Sequence, residues 1–395
     1  MRRGFGRGTL LAAAGAAAFP VAAQAQENRF DLSARVVETY ETNVLRLRDE
    51  RVSAPRDNLS LTPQLVVDYQ RLFGRQRVYL NGTAGYVFND RYRFLNREDL
   101  SFTGGAGLRF GARCQVNPQA SLFRAQSDLD DLGALVSNTA TIQDYTIEAS
   151  CPREVGFYPV VAAGYFRVDN SEIRRQRDQS VVDGRAGIVY RRPSLGEVEL
   201  FGQFIGISRN RRLPSEEGIV RDESDVTTIG LRLGRDVGTR VSASASIGYT
   251  SVDPKAPGIP GFSGLTYRGA VTYEPSPRLS FTAGFGRAVS ARGNVGTSYF
   301  LTDTADLSAR ARLSARTTVG AGVALSRRDF RGEDQSFQFG PRGADRQFNA
   351  RASVGYALSR PVSLDLSVRY RDRDADNDFY DFSSFAATLG ASLRL

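Results

Sequence analysis

The sequence predicts an all-β chain that closes into a transmembrane antiparallel up-and-down β-barrel of about 18 strands, with short periplasmic turns and long outer loops. Three observations predict it. The chain opens on an export signal, it holds no later apolar run near the ~20 residues a membrane helix needs, and from Phe30 onward it alternates apolar and polar residues in strand-length segments. The alternation is clearest at the end. In Ser383 to Leu395, Phe385, Ala387, Leu389, Ala391, Leu393 and Leu395 fall on one side of an extended strand, and Ala386, Thr388, Gly390, Ser392 and Arg394 on the other. A long terminal strand with one apolar face is an aggregation hazard if its edge stays open. Paired with the first strand of a barrel, it has no open edge.

The first element is the signal. Arg2, Arg3 and Arg7 form a positive start, Thr9 to Phe19 a short apolar run, and Ala23-Gln24-Ala25 a small-residue cleavage site. Residues 1–25 are therefore expected to be removed, leaving residues 26–395 as a single barrel domain with a formal charge reduced from +9 to +6 by loss of three arginines.

Strands then follow in order. Segments at Arg29 to Tyr40, Leu59 to Tyr69, Val78 to Phe88, Leu100 to Phe110, Cys114 to Phe123 and Ile142 to Cys151 alternate, with tight turns at Gly74-Arg75 and Gly111 to Arg113. Their longer connections are polar, as at Asp128, Asp130 and Asp131. Phe157 to Arg167, Val181 to Tyr190, Glu197 to Ile207, Thr227 to Leu233, Arg240 to Thr250 and Leu265 to Tyr273 continue the rhythm, with the longest and most charged connection expected at Arg209 to Asp225. The last third repeats a hairpin unit. Thr239-Arg240-Val241-Ser242, Pro277-Arg278-Leu279-Ser280, Ala315-Arg316-Thr317-Thr318 and Arg360-Pro361-Val362-Ser363 each open an ascending strand, their arginines 38 to 44 residues apart. The other strands there are Tyr299 to Arg312, Phe348 to Leu358 and the terminal one. An even count puts both chain termini on the periplasmic side. A β-sandwich or solenoid would need strands every 8 to 12 residues or a constant short repeat, and neither is present.

The two cysteines share this geometry. Cys114 opens one strand after a short turn and Cys151 closes the next before one, so both stand at the same end of neighbouring strands with apolar-face parity. A disulfide is expected between them, the alternative being two buried thiols.

Reading inward positions from alternation gives Arg35, Arg109, Arg185, Arg232, Arg268, Arg310, Arg312, Arg351 and Arg369, against Asp31, Asp68, Glu148, Asp183, Asp306 and Asp365. Charges facing lipid at mid-depth would cost ~2 to 4 kcal/mol for each arginine, so they belong inside. Two compatible roles follow: ion pairing around the wall, and a water-filled passage whose arginines favour anionic solutes. Aromatic residues near strand ends, such as Tyr69, Phe88, Tyr190, Tyr249, Tyr273, Tyr356 and Tyr370, fit interfacial girdles in a chain without Trp.

Catalytic signals are missing. The chain has no His, which excludes Ser-His and Asp-His hydrolases. Asp372 to Asp378 carries carboxylates at alternate positions like a calcium loop, yet Asn377 replaces its Gly and Ser383 its closing Glu. The glycines at Gly104-Gly105 and Gly284 to Gly286 lie inside strands, not before helices, and are not phosphate loops. No enzyme activity, metal or cofactor is expected.

Tyr40-Glu41-Thr42-Asn43-Val44-Leu45-Arg46, at the top of the first strand, resembles the opening signature of the proteobacterial putative β-barrel porin 2 family. Thr42 stands where that family more often has Asp, and the likeness extends over the mature chain through length, signal and strand rhythm. It implies an outer-membrane passage of a Gram-negative bacterium, with exopolysaccharide secretion as one role among relatives. The partners expected are outer-membrane lipid and lipopolysaccharide, the barrel-assembly machinery and periplasmic polysaccharide-export proteins, and no nucleic acid. The rival expectation is a non-conducting structural barrel that binds surface polysaccharide.

Overall fold

The computed structural model describes residues 28–48, 55–127, 137–215, 218–290, 297–333 and 340–395. The export signal and the acidic connection at Asp128, Asp130 and Asp131 lie outside these residues. The strands are β1 (Arg29–Glu41), β2 (Asn58–Phe73), β3 (Gln76–Asn89), β4 (Arg97–Phe110), β5 (Cys114–Gln126), β6 (Thr139–Ser150), β7 (Gly156–Asp169), β8 (Gln179–Arg192) and β9 (Gly196–Ser215). The second half comprises β10 (Gly218–Val237), β11 (Val241–Pro254), β12 (Phe262–Ser276), β13 (Leu279–Ser290), β14 (Tyr299–Arg312), β15 (Thr317–Arg331), β16 (Ala344–Ala357), β17 (Val362–Ala375) and β18 (Phe382–Arg394).

Every strand pairs antiparallel with its sequence neighbours, and β1 pairs with β18 as well as β2, so the 18-stranded sheet closes. Closure leaves no row of unpaired backbone groups, the condition a sheet must meet to span lipid. Register carries the alternation around the wall. Tyr40 stands between Leu59 and Ala387, and Val36 between Pro63 and Ala391. Exposed large apolar side chains take the outward parity on strand after strand, among them Leu65, Val161, Ile188, Leu200, Ile229, Leu325 and Leu366. A surface of this kind is stable only against hydrocarbon.

Short turns lie at one end. Gly74, Gly111 and Gly238 turn the chain at φ +61°, +59° and +61°, a left-handed conformation that costs other residues more. Beside the second of these, Cys114 and Cys151 are joined with their Cα atoms 3.9 Å apart. Cys114 is registered opposite the outward Phe110, and Gln115 opposite Ser150, which makes Cys151 the next partner across the ladder.

One connection differs from the sequence reading. Arg209 to Asp225, expected as a long loop, instead extends β9 and β10 into a 20-residue hairpin on each side, with a register shift at Arg221/Asp222. The reason is cross-strand pairing of its charges: Arg209 lies opposite Asp222, 3.5 Å away. The calcium-like segment also resolves otherwise. Asp372 and Asp374 lie in β17, Asp376 accepts the Ala344 N–H, and Asp378 pairs with Arg48. Among the described residues no group of three His, Cys, Asp or Glu side chains converges as metal ligands would.

At the outer end, segments from distant strands interlock. Arg211 Nη2 donates to Gly332 O at 2.8 Å, and Ser298 Oγ donates to Asp222 Oδ2 at 3.1 Å. Arg211 on β9 and Gly332 just past β15 are six strands apart in the sheet order, about 29 Å along the wall at the usual strand spacing. Contacts over that span require the outer connections to fold in across part of the mouth.

Candidate functional site

The inner wall is the candidate site, and its two sides differ. On β6 to β11 the outer half carries a buried apolar cluster of Ala140, Phe166, Val168, Val181, Ile207, Val226 and Val252, joined by Tyr299. Ile259, from the connection between β11 and β12, packs on it, and Tyr299 Oη donates to Pro260 O at 2.5 Å. The sequence reading missed this cluster because it took every inward position to be polar. The signal was there: Phe157 to Val168 is apolar on both parities, as strands covered on both faces are.

Ion pairs brace the middle of the same side. Arg185, its side chain only 6% exposed, pairs with Glu148 Oε2 at 2.8 Å and with Glu199, which Arg232 also reaches at 3.0 Å. Glu148 sits on β6 and Arg185 on β8, so this contact skips a strand. Side chains two strands apart converge only on the concave face, which places all four groups inside the barrel. Arg35 on β1 likewise crosses β18 to reach Asp365 on β17 at 2.8 Å. Arg29 pairs with Asp31 and Asp68, and Arg394 also reaches Asp31.

Above the apolar band Arg209 and Asp222 are buried together, with Arg211 beside them. Burial lowers the Arg209 guanidinium to about 10; the Asp222 carboxylate opposes that shift and Arg211 adds to it. A second outer cluster joins Arg328 and Arg373 to the buried Asp345, at 2.6 and 2.7 Å.

The opposite side, β12 to β17, is open. The inward arginines there are exposed: Arg268, Arg310, Arg312 and Arg351, with Arg109 on β4 exposed as well and Arg369 half-buried. Asp306 is the one exposed carboxylate among the predicted inward acids; Asp183 is buried and Asp365 is engaged by Arg35. Carboxylates lie flat along the wall where the neighbouring strand offers glycine. A Cβ at Gly284 would stand 2.5 Å from Asp306 Oδ1, and one at Gly390 2.5 Å from Asp365 Oδ2. By register, all nine predicted arginines, with Asp183, Asp306 and Asp365, take the inward parity of their strands; the sequence did not show which of them are neutralised. Neutralisation depends on partners two strands away, and sequence separation does not report those distances.

The geometry can pass or hold a polar solute along the β12 to β17 side, with the apolar cluster facing it. Solved structures similar to the chain include Pseudomonas aeruginosa OccK2 (OpdF) in complex with glucuronate, at 13% identity and TM-score 0.49, covering 93% of this chain and 98% of that one. A BenF-like porin from Pseudomonas fluorescens Pf-5 is 12% identical with TM-score 0.48, covering 94% and 99%. OccAB3 of Acinetobacter baumannii is 10% identical with TM-score 0.46, covering 93% and 99%. No curated protein matches the chain. The model of the Putative beta-barrel porin 2 family matches residues 32–395, and the chain belongs to that family of porin-like outer-membrane β-barrels.

Proposed function

We propose that the barrel is a water-filled passage across the outer membrane that favours anionic solutes. One observation carries this reading. Of the predicted inward charges, Arg35, Arg185 and Arg232 pair with carboxylates and brace the wall, Arg369 is half-buried, and the exposed ones are five arginines, Arg109, Arg268, Arg310, Arg312 and Arg351, against the single Asp306. An exposed guanidinium in a water-filled channel with low-dielectric walls raises the local concentration of anions and repels cations. In its sharper form the solute is an acidic exopolysaccharide, handed over by periplasmic export proteins after cleavage of the signal and insertion by the barrel-assembly machinery. The same arginines, and the secretion role of some relatives that the resemblance implies, support that form.

A second reading has its own observation. The interlocked outer segments, with Ser298 on Asp222 and Arg211 on Gly332, favour a barrel closed at rest that binds polysaccharide at its surface without conducting. Single-channel recording of the refolded protein separates the two: steady conductance with anion preference supports the passage, and a folded, inserted, silent barrel supports the binding protein.

A further inference from the structure

At mid-height on β14 to β17 the open wall gathers into a basin. Arg351 and Arg369 are registered directly opposite each other, both on the inward face. Arg351 is exposed and makes no ion pair among the described residues. One inward row nearer the periplasm stands Arg310 on β14, and the floor between these strands is Gly320, Gly322 and Ala324.

The side chains are laid out around that floor. Arg351 lies over Gly322, where a Cβ would stand 3.3 Å from its Nε and 3.3 Å from Ser308 Cβ. The inward acids on these strands turn away from the basin: Asp306 lies over Gly284 on β13, and Asp365 over Gly390 on β18. Asn349 and Ser353 flank Arg351 along β16, Ser367 is registered opposite Ser353 on β17, and Ser308 stands on β14, across Gly322 of β15. None of these four polar side chains makes a side-chain hydrogen bond among the described residues, so their donors and acceptors are available to a solute.

We propose that this basin is a binding subsite for an acidic sugar unit, its carboxylate held by Arg351 and its ring hydroxyls by Asn349, Ser308 and Ser353. Guanidinium and carboxylate planes match in a bidentate pair, which fixes a carboxylate better than a point charge does. An inorganic anion would use the guanidinium alone. A fringe of hydroxyls and an amide on a glycine floor, with no bulky apolar group in it, fits a polyhydroxylated ring. The inference rests on the reading of the lumen as an anionic passage and adds to it a place and a ligand class.

Calorimetric titration of the refolded, detergent-solubilised barrel at constant ionic strength tests it, using a trimer of galacturonate, maltotriose and sulfate. The trimer should bind at least about tenfold more tightly than either maltotriose or sulfate, and Arg351→Ser should weaken it about tenfold or more. Arg351→Gln, closer in shape, should show the same loss, with heat-modifiable gel mobility reporting that each variant is folded. Equal binding of trimer and sulfate, no binding of the trimer, or indifference to both substitutions would overturn the subsite. Conductance is a separate axis: a silent barrel that binds the trimer removes the passage and keeps the subsite, whereas an anion-preferring channel that does not bind it removes the subsite alone.

Discussion

Arg185 sits between two carboxylates, Glu148 on β6 and Glu199 on β9, with its guanidinium almost shut off from water. Removing it would leave Glu199, whose side chain is 9% exposed, buried with only Arg232 for a partner among the described residues. Breaking one member out of a buried charge group typically costs about 3 to 5 kcal/mol. Arg185→Ala should therefore destabilise the barrel by about that much in urea unfolding from lipid vesicles, whereas the exposed Arg351→Ser should cost within about 0.5 kcal/mol. Equal costs would mean that the two arginines do not divide into bracing and lining roles. Alternation along β8 and β16 is enough to predict that both point inward. It is silent on which one has a carboxylate within reach, because Glu148 and Arg185 meet across β7 and only the closed sheet's curvature brings them together.

Among elements, the β5 to β6 hairpin was the most legible, since turn, parity and cysteine placement agree. Cys114 and Cys151 close a segment of 37 residues, for which chain-entropy arguments give at most about 4 kcal/mol of stabilisation. Thiol labelling of the unreduced, denatured protein should find neither sulfur reactive, and the double Cys→Ser variant should insert with lower stability, up to that limit. Labelling of both cysteines before reduction would contradict the bond. β7 and the β9 to β10 hairpin were the least legible. The periodicity of β7 is blurred because its inner face lies beneath the apolar cluster with Phe166 and Val168. In β9 and β10, charges that pair across the strands, such as Arg209 and Asp222, look in sequence like a solvated loop.

At the scale of the whole molecule, the strand count, closure and outward apolar surface were all present in the alternation, whereas the infolded outer segments were not. Connections carry no periodicity to read, and the contacts of Arg211 with Gly332 and of Ser298 with Asp222 join residues more than seventy positions apart. The barrel's charge has a consequence for pH. Arginine keeps its proton across the range from about pH 5 to 9, the chain has no His, and its one lysine, Lys255, is held above the usual lysine range by hydrogen bonds to Asp253 and Asp225. Anion preference should thus be flat from about pH 5 to 9 and should rise below about pH 4, where carboxylates neutralise and the arginines are less compensated. Reversal potentials taken across that series check the sign; a loss of anion preference on acidification would contradict it.

The most direct test of the account is the reversal potential of single channels formed by the refolded protein in a planar bilayer under a potassium chloride gradient. Steady openings with chloride preferred over potassium are expected, with a reduced preference when Arg351 and Arg310 are both replaced by Ser. Cation preference, or a barrel shown to be folded and inserted that never conducts, would contradict it.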